Sequence, residues 1–168
     1  MVNDTSACGA DNSSANALYP ACIGSTAVTR ENWAIGPISD PTYGIYNTAP
    51  YVRTQLSYMW NTYRLPIVVT EFGLTMSPST ATDLPDLRED RERSEFILSY
   101  LTEMLKCIWE DGIDVRGAFM WSFVDNWEWG TYNHQFGLQQ VNRSSMTRSY
   151  RRSFFDVIDF VESHRGSH

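Results

Sequence analysis

The sequence predicts an α/β fold organised around a βαβ unit of the kind that builds a (β/α)8 barrel, and three observations carry that reading. Pro66-Ile67-Val68-Val69-Thr70-Glu71-Phe72-Gly73 is a β-branched run that ends on a carboxylate and then a glycine. A second apolar run, from about Val115 to Phe123, leads into Trp121-Ser122-Phe123-Val124-Asp125-Asn126-Trp127-Glu128-Trp129, where aromatic rings and carboxylates crowd together. One long helical pattern separates the two. Apolar strands that each carry polar residues at the C-terminal end, joined through a helix, pair in parallel and gather their functional groups at one end of the sheet.

The elements follow in order. Residues 1–31 form a loop-rich insertion, with Gly9, Pro20, Gly24 and many Ser, Thr and Asn but no sustained periodicity. A barrel places such a segment at the mouth of its active site. The remainder, residues 32–168, carries the α/β pattern. Asn47-Thr48-Ala49-Pro50 is a cap followed by an early proline, and Val52, Leu56, Met59, Trp60 and Tyr63 then recur at helical spacing. Arg64-Leu65-Pro66 ends that helix, and the strand from Ile67 to Thr70 has the continuous apolar character of one buried on both faces. The longest helix is expected from about Leu87 to Glu110, its stripe marked by Phe96, Ile97, Tyr100, Leu101, Met104, Leu105, Ile108 and Trp109. Acidic residues at its start suit the positive end of the helix dipole, and Asp111-Gly112 stops it. A last helix is expected from about Ser149 to Ser163, with Phe154, Val157, Ile158 and Val161 inward; Gly166-Ser167-His168 reads as a frayed tail.

Composition bounds the function. The 168 residues, 42% hydrophobic, suffice for a globular core. They do not suffice for a closed barrel, which takes about 250 residues and eight strands, so the expected fold is a part of such a barrel, incomplete as it stands. A net charge of −7 argues against nucleic acid as partner, because phosphate binding needs clustered Lys and Arg. No stretch approaches the ~20 apolar residues that span a bilayer, so no membrane partner is expected. The mixed-charge run Asp86 to Glu95 is expected as a solvated helical face. Cys8 and Cys22 flank a polar loop that a disulfide can staple, leaving Cys107 over. The sequons at Asn3, Asn12 and Asn142 point to a secreted glycoprotein, with a cytoplasmic location as the alternative, although Met1 leads into polar Asn3 and Asp4 without the apolar run of a signal peptide. His134, His164 and His168 lack metal-ligand spacing, and neither a glycine-rich phosphate loop nor a serine elbow around Ser122 is present. No metal or cofactor is expected.

Chemistry resides in the two strand ends. Aromatic faces stack on the C–H face of a pyranose, and ionised carboxylates accept strong hydrogen bonds from its hydroxyls, so the Trp121 to Trp129 segment suits a carbohydrate partner. Beyond composition, Thr70-Glu71-Phe72-Gly73 resembles the TENG segment of glycoside hydrolase family 1, the β-glucosidase family, and Trp121 to Trp129 resembles its WSLLDNFEW segment. Ile35-Gly36-Pro37-Ile38-Ser39-Asp40-Pro41 is similar to that family's lead-in to its sixth barrel helix, and Phe136-Gly137-Leu138 with Arg148 and Ser153 to its closing elements. The resemblance implies that the chain is the C-terminal part of the (β/α)8 barrel, about helix six to helix eight, with residues 1–31 inserted after the sixth strand.

The resemblance implies a retaining β-glycosidase acting on β-D-glucosides, a mechanism that uses two carboxyl groups about 5 Å apart. Glu71 is then the nucleophile, Trp121 the floor beneath the sugar, Glu128 and Trp129 the pair that binds its hydroxyls, and Phe136 a pocket wall. Trp127 is expected to pack, and Asp125 and Asn126 to fix the turn through side-chain bonds to backbone. The family takes its acid/base glutamate from a TFNEP-like segment on the fourth strand, and nothing like it occurs here. The isolated chain is therefore expected to be inactive. Alternatives are a non-catalytic carbohydrate-binding remnant and a half that needs an N-terminal partner chain. Two departures stand out: Phe72 replaces the usual Asn, and the stretch between Trp129 and Gly137 is about one residue short.

Overall fold

The computed structural model describes residues 2–3, 23–24, 26–40, 44–76 and 88–165, in two compact units, Met1–Pro37 and Ile38–His168. Cys8, Cys22, Asn12, the side chain of Asn3, the start of the long helix before Arg88 and the tail from Gly166 lie outside the described residues. In the first unit β1 (Val2–Asn3) pairs antiparallel with β2 (Ile23–Gly24), and Val28 bridges Ala34 across a turn in which Asn32 takes a left-handed φ of 66°. These two-residue strands are the regular structure among the described residues of a segment expected to be loop-rich. Ladders this short leave no periodicity for the sequence to display.

The second unit opens with an antiparallel pair, β3 (Ile38–Asp40) and β4 (Ile45–Tyr46). A 3-10 turn at Ala49–Tyr51, where Pro50 needs no donor, feeds α1 (Val52–Tyr63), which ends on Arg64 in the left-handed region. Then come β5 (Ile67–Phe72), α2 (Arg91–Trp109) and β6 (Val115–Met120), with Gly112 at φ 63° turning the chain out of α2. The antiparallel hairpin of β7 (Gln139–Val141) and β8 (Arg148–Tyr150) precedes α3 (Arg152–His164). That last helix starts later than expected because Arg148 to Tyr150 are held in the hairpin ladder.

β5 and β6 pair in parallel, as a βαβ unit requires, and α1, α2 and α3 supply the core on one face. Ile67, Phe72, Leu74, Phe96, Ile97, Met104, Cys107, Leu138 and Val157 are buried there. Phe72 stacks on Tyr100 at 5.9 Å between centroids and 13° between planes, which explains why an aromatic ring fits at this position. The other face of the pair is open. Val68 is 47% and Phe119 62% exposed, so the expectation of a strand buried on both faces is corrected for this chain. Each strand also keeps a free ladder edge among the described residues. A groove of about 270 Å³ runs between β5 and α1, past Val52, Leu56 and Met59. Another of about 440 Å³ runs along β6 between α2 and α3, past Leu105, Ile108 and Phe160.

A Cβ added at Gly137 would stand 2.2 Å from Asp125 N and 2.6 Å from Gln139 O, whereas one at Gly112 meets nothing within 4 Å. Gly112→Ala is expected to lower unfolding stability by about 1 kcal/mol, the cost of a left-handed alanine. Gly137→Ala, which forces backbone apart, should lose at least twice that, about 2–4 kcal/mol. Urea unfolding of the two variants checks the order.

Candidate active site

The site begins with a one-residue irregularity. Val69 pairs with Ala118 but Phe72 with Met120, so β5 spends three residues where β6 spends two. Strict alternation would send residue 71 to the helices; the bulge instead sends Phe72 there and leaves both Thr70 and Glu71 exposed on the open face. On β6 the exposed Phe119 alternates with the core-facing Ala118 and Met120 onto the same open face, and Trp121 follows directly after the strand. The ladder's last bond runs from Trp121 N–H to Phe72 O at 2.8 Å, directly beside Glu71. Gly73 makes that approach possible, since a Cβ there would lie 2.0 Å from Trp121 O. Glu71 and Trp121 therefore sit side by side at the C-terminal ends of two parallel strands. The Trp121–Ser122 peptide is cis.

After Trp121 the chain leaves the ladder for a loop that runs to Leu138. Ser122 N–H donates to Phe136 O at 3.2 Å and Leu138 N–H to Ser122 O at 2.8 Å, so the two ends of the loop run together and Phe136 lies half-buried between them. Glu128 folds back until its Oε1 accepts the indole N–H of Trp121 at 2.8 Å, and it is buried rather than a surface partner. The next four residues form a tight turn with reciprocal bonds, Glu128 N–H to Thr131 O at 2.8 Å and Thr131 N–H to Glu128 O at 2.9 Å. Trp129 and Gly130 both have positive φ, 46° and 100°, as two-residue hairpin turns demand. Trp129 stands at the tip and is 91% exposed, so the structure does not press it against Glu128. A rim one residue short leaves only this tight turn to close it. Trp127 is 58% exposed and does not pack as expected.

A buried charge cluster holds the loop from behind. Asp125 takes a bidentate ion pair from Arg151, Nη1 to Oδ1 at 2.9 Å and Nη2 to Oδ2 at 2.8 Å, and accepts Gly137 N–H at 2.9 Å and Val141 N–H at 3.4 Å. Its bonds to backbone reach Gly137 and Val141 across the loop instead of the turn's own backbone, which corrects the expectation, and the arginine is an addition. Asn126 departs from expectation, for its Oδ1 is buried with no hydrogen-bond partner among the described residues. Asp90 and Arg93 are fully buried, correcting the reading of Asp86 to Glu95 as a wholly solvated face. Arg93 Nη1 lies 3.2 Å from Asp90 Oδ2, and Asp90 also accepts Ser153 N–H at 2.9 Å and Ser153 Oγ–H at 2.6 Å. Burial raises the Asp90 pKa above the usual carboxylate value against the pull of Arg93, and burial followed by repulsion from Arg151 lowers Arg93 to about 10. A signal for Arg93 was present: it lies three and four residues before Phe96 and Ile97, in phase with the apolar stripe.

An exposed carboxylate at one strand end and an indole at the end of the neighbouring strand, with a second carboxylate fixed by that indole, are groups of the kind that bind and attack a pyranose. Among the described residues no group of His, Cys, Asp or Glu is arranged to hold a metal, and no helix is long and apolar enough to cross a membrane.

The sequence pattern of Glycosyl hydrolase family 1 matches residues 10–165. β-Glucosidase 42 of Arabidopsis thaliana is 33% identical over 114 residues, 66% of this chain and 23% of that protein. β-Glucosidase 2 of the fungus Trichoderma reesei, solved with Tris, superposes with a TM-score of 0.75 at 25% identity, covering 84% of this chain and 31% of that one. A rice β-glucosidase variant in covalent complex with glucose gives a TM-score of 0.68 at 31% identity, covering 76% of this chain and 28% of that one. The chain thus spans less than a third of the length of these relatives, and its strands and helices are part of a (β/α)8 barrel.

The Trp121–Glu128 bond yields an asymmetric expectation. Trp121→Phe strands a buried carboxylate oxygen and should lower unfolding stability by about 2–3 kcal/mol, whereas Glu128→Gln keeps an acceptor and should lose less than about 1 kcal/mol. Denaturant unfolding followed by circular dichroism measures both.

Proposed function

Because the chain belongs to Glycosyl hydrolase family 1, we propose that it carries the nucleophile half of a retaining β-glycosidase site, with a β-D-glucoside as substrate. The observation that supports this most is the bulge that turns Glu71 onto the open face beside Trp121 at the strand ends. The Glu71 carboxylate attacks the anomeric carbon, the bond to the aglycone oxygen breaks, and its electron pair leaves with that oxygen. Water then cleaves the glycosyl ester on Glu71 and restores the carboxylate. Trp121 forms the floor, Glu128 accepts sugar hydroxyls through the oxygen that Trp121 does not hold, and Trp129 and Phe136 form the rim and wall.

The departing oxygen needs a proton. No TFNEP-like segment is present in this sequence to supply a second glutamate, and such proton transfer contributes about 10²- to 10⁴-fold. The partner that supplies it is the N-terminal part of the barrel, whose neighbouring strands occupy the grooves along β5 and β6. The free edges, the apolar groove walls and the exposed Val68 and Phe119 all suit such strands. In this placement the chain corresponds to about helix six to helix eight. Secretion is part of the same proposal: Asn142, one of the sequon asparagines, sits on an exposed turn, its Oδ1 accepting Ser144 N–H and Ser145 N–H at 3.0 and 3.1 Å. The missing acid segment favours one second reading, a non-catalytic carbohydrate-binding remnant.

Incubation with 2,4-dinitrophenyl 2-deoxy-2-fluoro-β-D-glucoside, whose leaving group needs no acid, separates these readings. One adduct per chain, mapped to Glu71 by peptide mass spectrometry and absent in Glu71→Gln, is expected. A folded chain that takes no label is a remnant. Hydrolysis of an ordinary aryl glucoside should appear only when an N-terminal family fragment that includes the fourth strand is added.

A further inference from the structure

Arg93 lies outside the segments Thr70 to Gly73 and Trp121 to Trp129, yet it touches the loops that follow both of them. Its guanidinium is fully buried beneath the junction of the loop after β5 and the loop before β7. Nε–H donates to Leu74 O at 3.0 Å, Nη1–H to Gly137 O at 2.5 Å, and Nη2–H to Gln135 O. Leu74 follows Glu71 by three residues, and Gln135 and Gly137 flank Phe136. The two loops also meet directly, Met76 N–H donating to Gln135 O and Gln135 N–H to Thr75 Oγ1, each at 3.0 Å.

Three carbonyls from two loops thus converge on one planar donor set. A guanidinium presents five N–H groups in a rigid fork, whereas an ammonium has three donors on a pivot, so Lys would retain the charge beside Asp90 but not the geometry. A buried ion pair is weak support for stability compared with apolar packing. What an apolar side chain fails to provide here is a donor to Leu74 O, together with the further bonds to Gly137 O and Gln135 O, which also accept from Arg151 and from Met76 N–H.

We infer that Arg93 is a positioning residue, one that sets the separation between the Glu71 strand exit and the Trp121 to Phe136 loop, and hence between nucleophile and sugar platform. The inference rests on the reading of Glu71 as nucleophile. Asp90, anchored by Ser153, neutralises the guanidinium and hands its orientation to the start of α3.

Two variants of the full chain test it, Arg93→Lys and the uncharged double variant Arg93→Met with Asp90→Asn, so that failure of one to fold leaves the other. Hydrogen-exchange mass spectrometry should show amides in residues 73–76 and 133–139 exchanging faster together by about tenfold, while α1 and the β5–β6 ladder keep their parent rates. Labelling by the fluoroglucoside should slow in its first-order constant on the order of 10²-fold, as a displacement of about 1 Å produces, with the half-saturating concentration little changed. Loops that exchange as in the parent, or exchange that rises uniformly through the whole unit, overturns the inference; so does coupled loop exchange with an unchanged labelling constant. If the parent chain takes no label, the nucleophile reading fails by itself, and the clamp then stands or falls on the exchange of the two loops.

Discussion

Two buried arginines facing two buried aspartates are the constraint on which the site end of this chain depends. Arg93 with Asp90 and Arg151 with Asp125 sum to zero charge, and all four side chains are withdrawn from water. Desolvation opposes such a cluster, as the shifted pKa values of Asp90 and Arg93 record. The cluster persists because of what the loop needs. Residues from Trp121 to Leu138 have left the β5–β6 ladder, and the forks of Arg93 and Arg151 both donate to Gly137 O, while Arg93 joins Met76 N–H on Gln135 O and Arg151 holds the Gln135 side chain. The shape of the aromatic loop is therefore set by the first turns of α2 and α3.

Against that anchored loop, the strand ends contribute placement by two small devices. The bulge in β5 turns Glu71 away from the helices, and Gly73 lets the departing chain pass against the Trp121 carbonyl. Neither device alone brings carboxylate and indole together. Without the bulge the carboxylate enters the core occupied by Phe72 and Tyr100; without the glycine the Phe72 to Trp121 bond at 2.8 Å must break. The strained φ of Trp129 belongs to the same economy of short connections, since a two-residue turn is all that joins Glu128 to Thr131.

Much of this was legible from residues. The β-branched run to Glu71, the apolar stripe of α2 and the stop at Gly112 each obey a local rule, and they suffice for a parallel βαβ unit. The bulge was not legible, because it is a property of the register between β5 and β6 and not of either strand. The β7–β8 hairpin competed with the last helix for Ser149 and won through pairing with Gln140, a contact that no local pattern announces. Taken whole, the alternating signs of Asp86 to Glu95 hide Asp90 and Arg93. Residue by residue, Arg93 shares the phase of Phe96 and Ile97 while Arg91, Glu92 and Glu95 do not, and burial follows that phase. Trp127 and Trp129 show the opposite limit: aromatic character invites burial, but their positions in a short rim leave them in solvent.

The two ends of the sheet are unequal in a way that bears on chemistry. Around the loop the buried backbone is amply served, yet the face that carries Glu71 and Trp121 is open, with Phe119 and Phe123 exposed beside them. Water at that face screens a carboxylate's interaction with a developing positive charge. On the proposed reading, neighbouring barrel strands then have two distinct effects. They bring the proton donor that this sequence lacks, and by covering the open face they lower the local dielectric in which Glu71 meets the anomeric centre. The second effect needs no catalytic residue at all, so closure of the barrel should strengthen sugar binding and nucleophilic attack even where the added strands carry no acid.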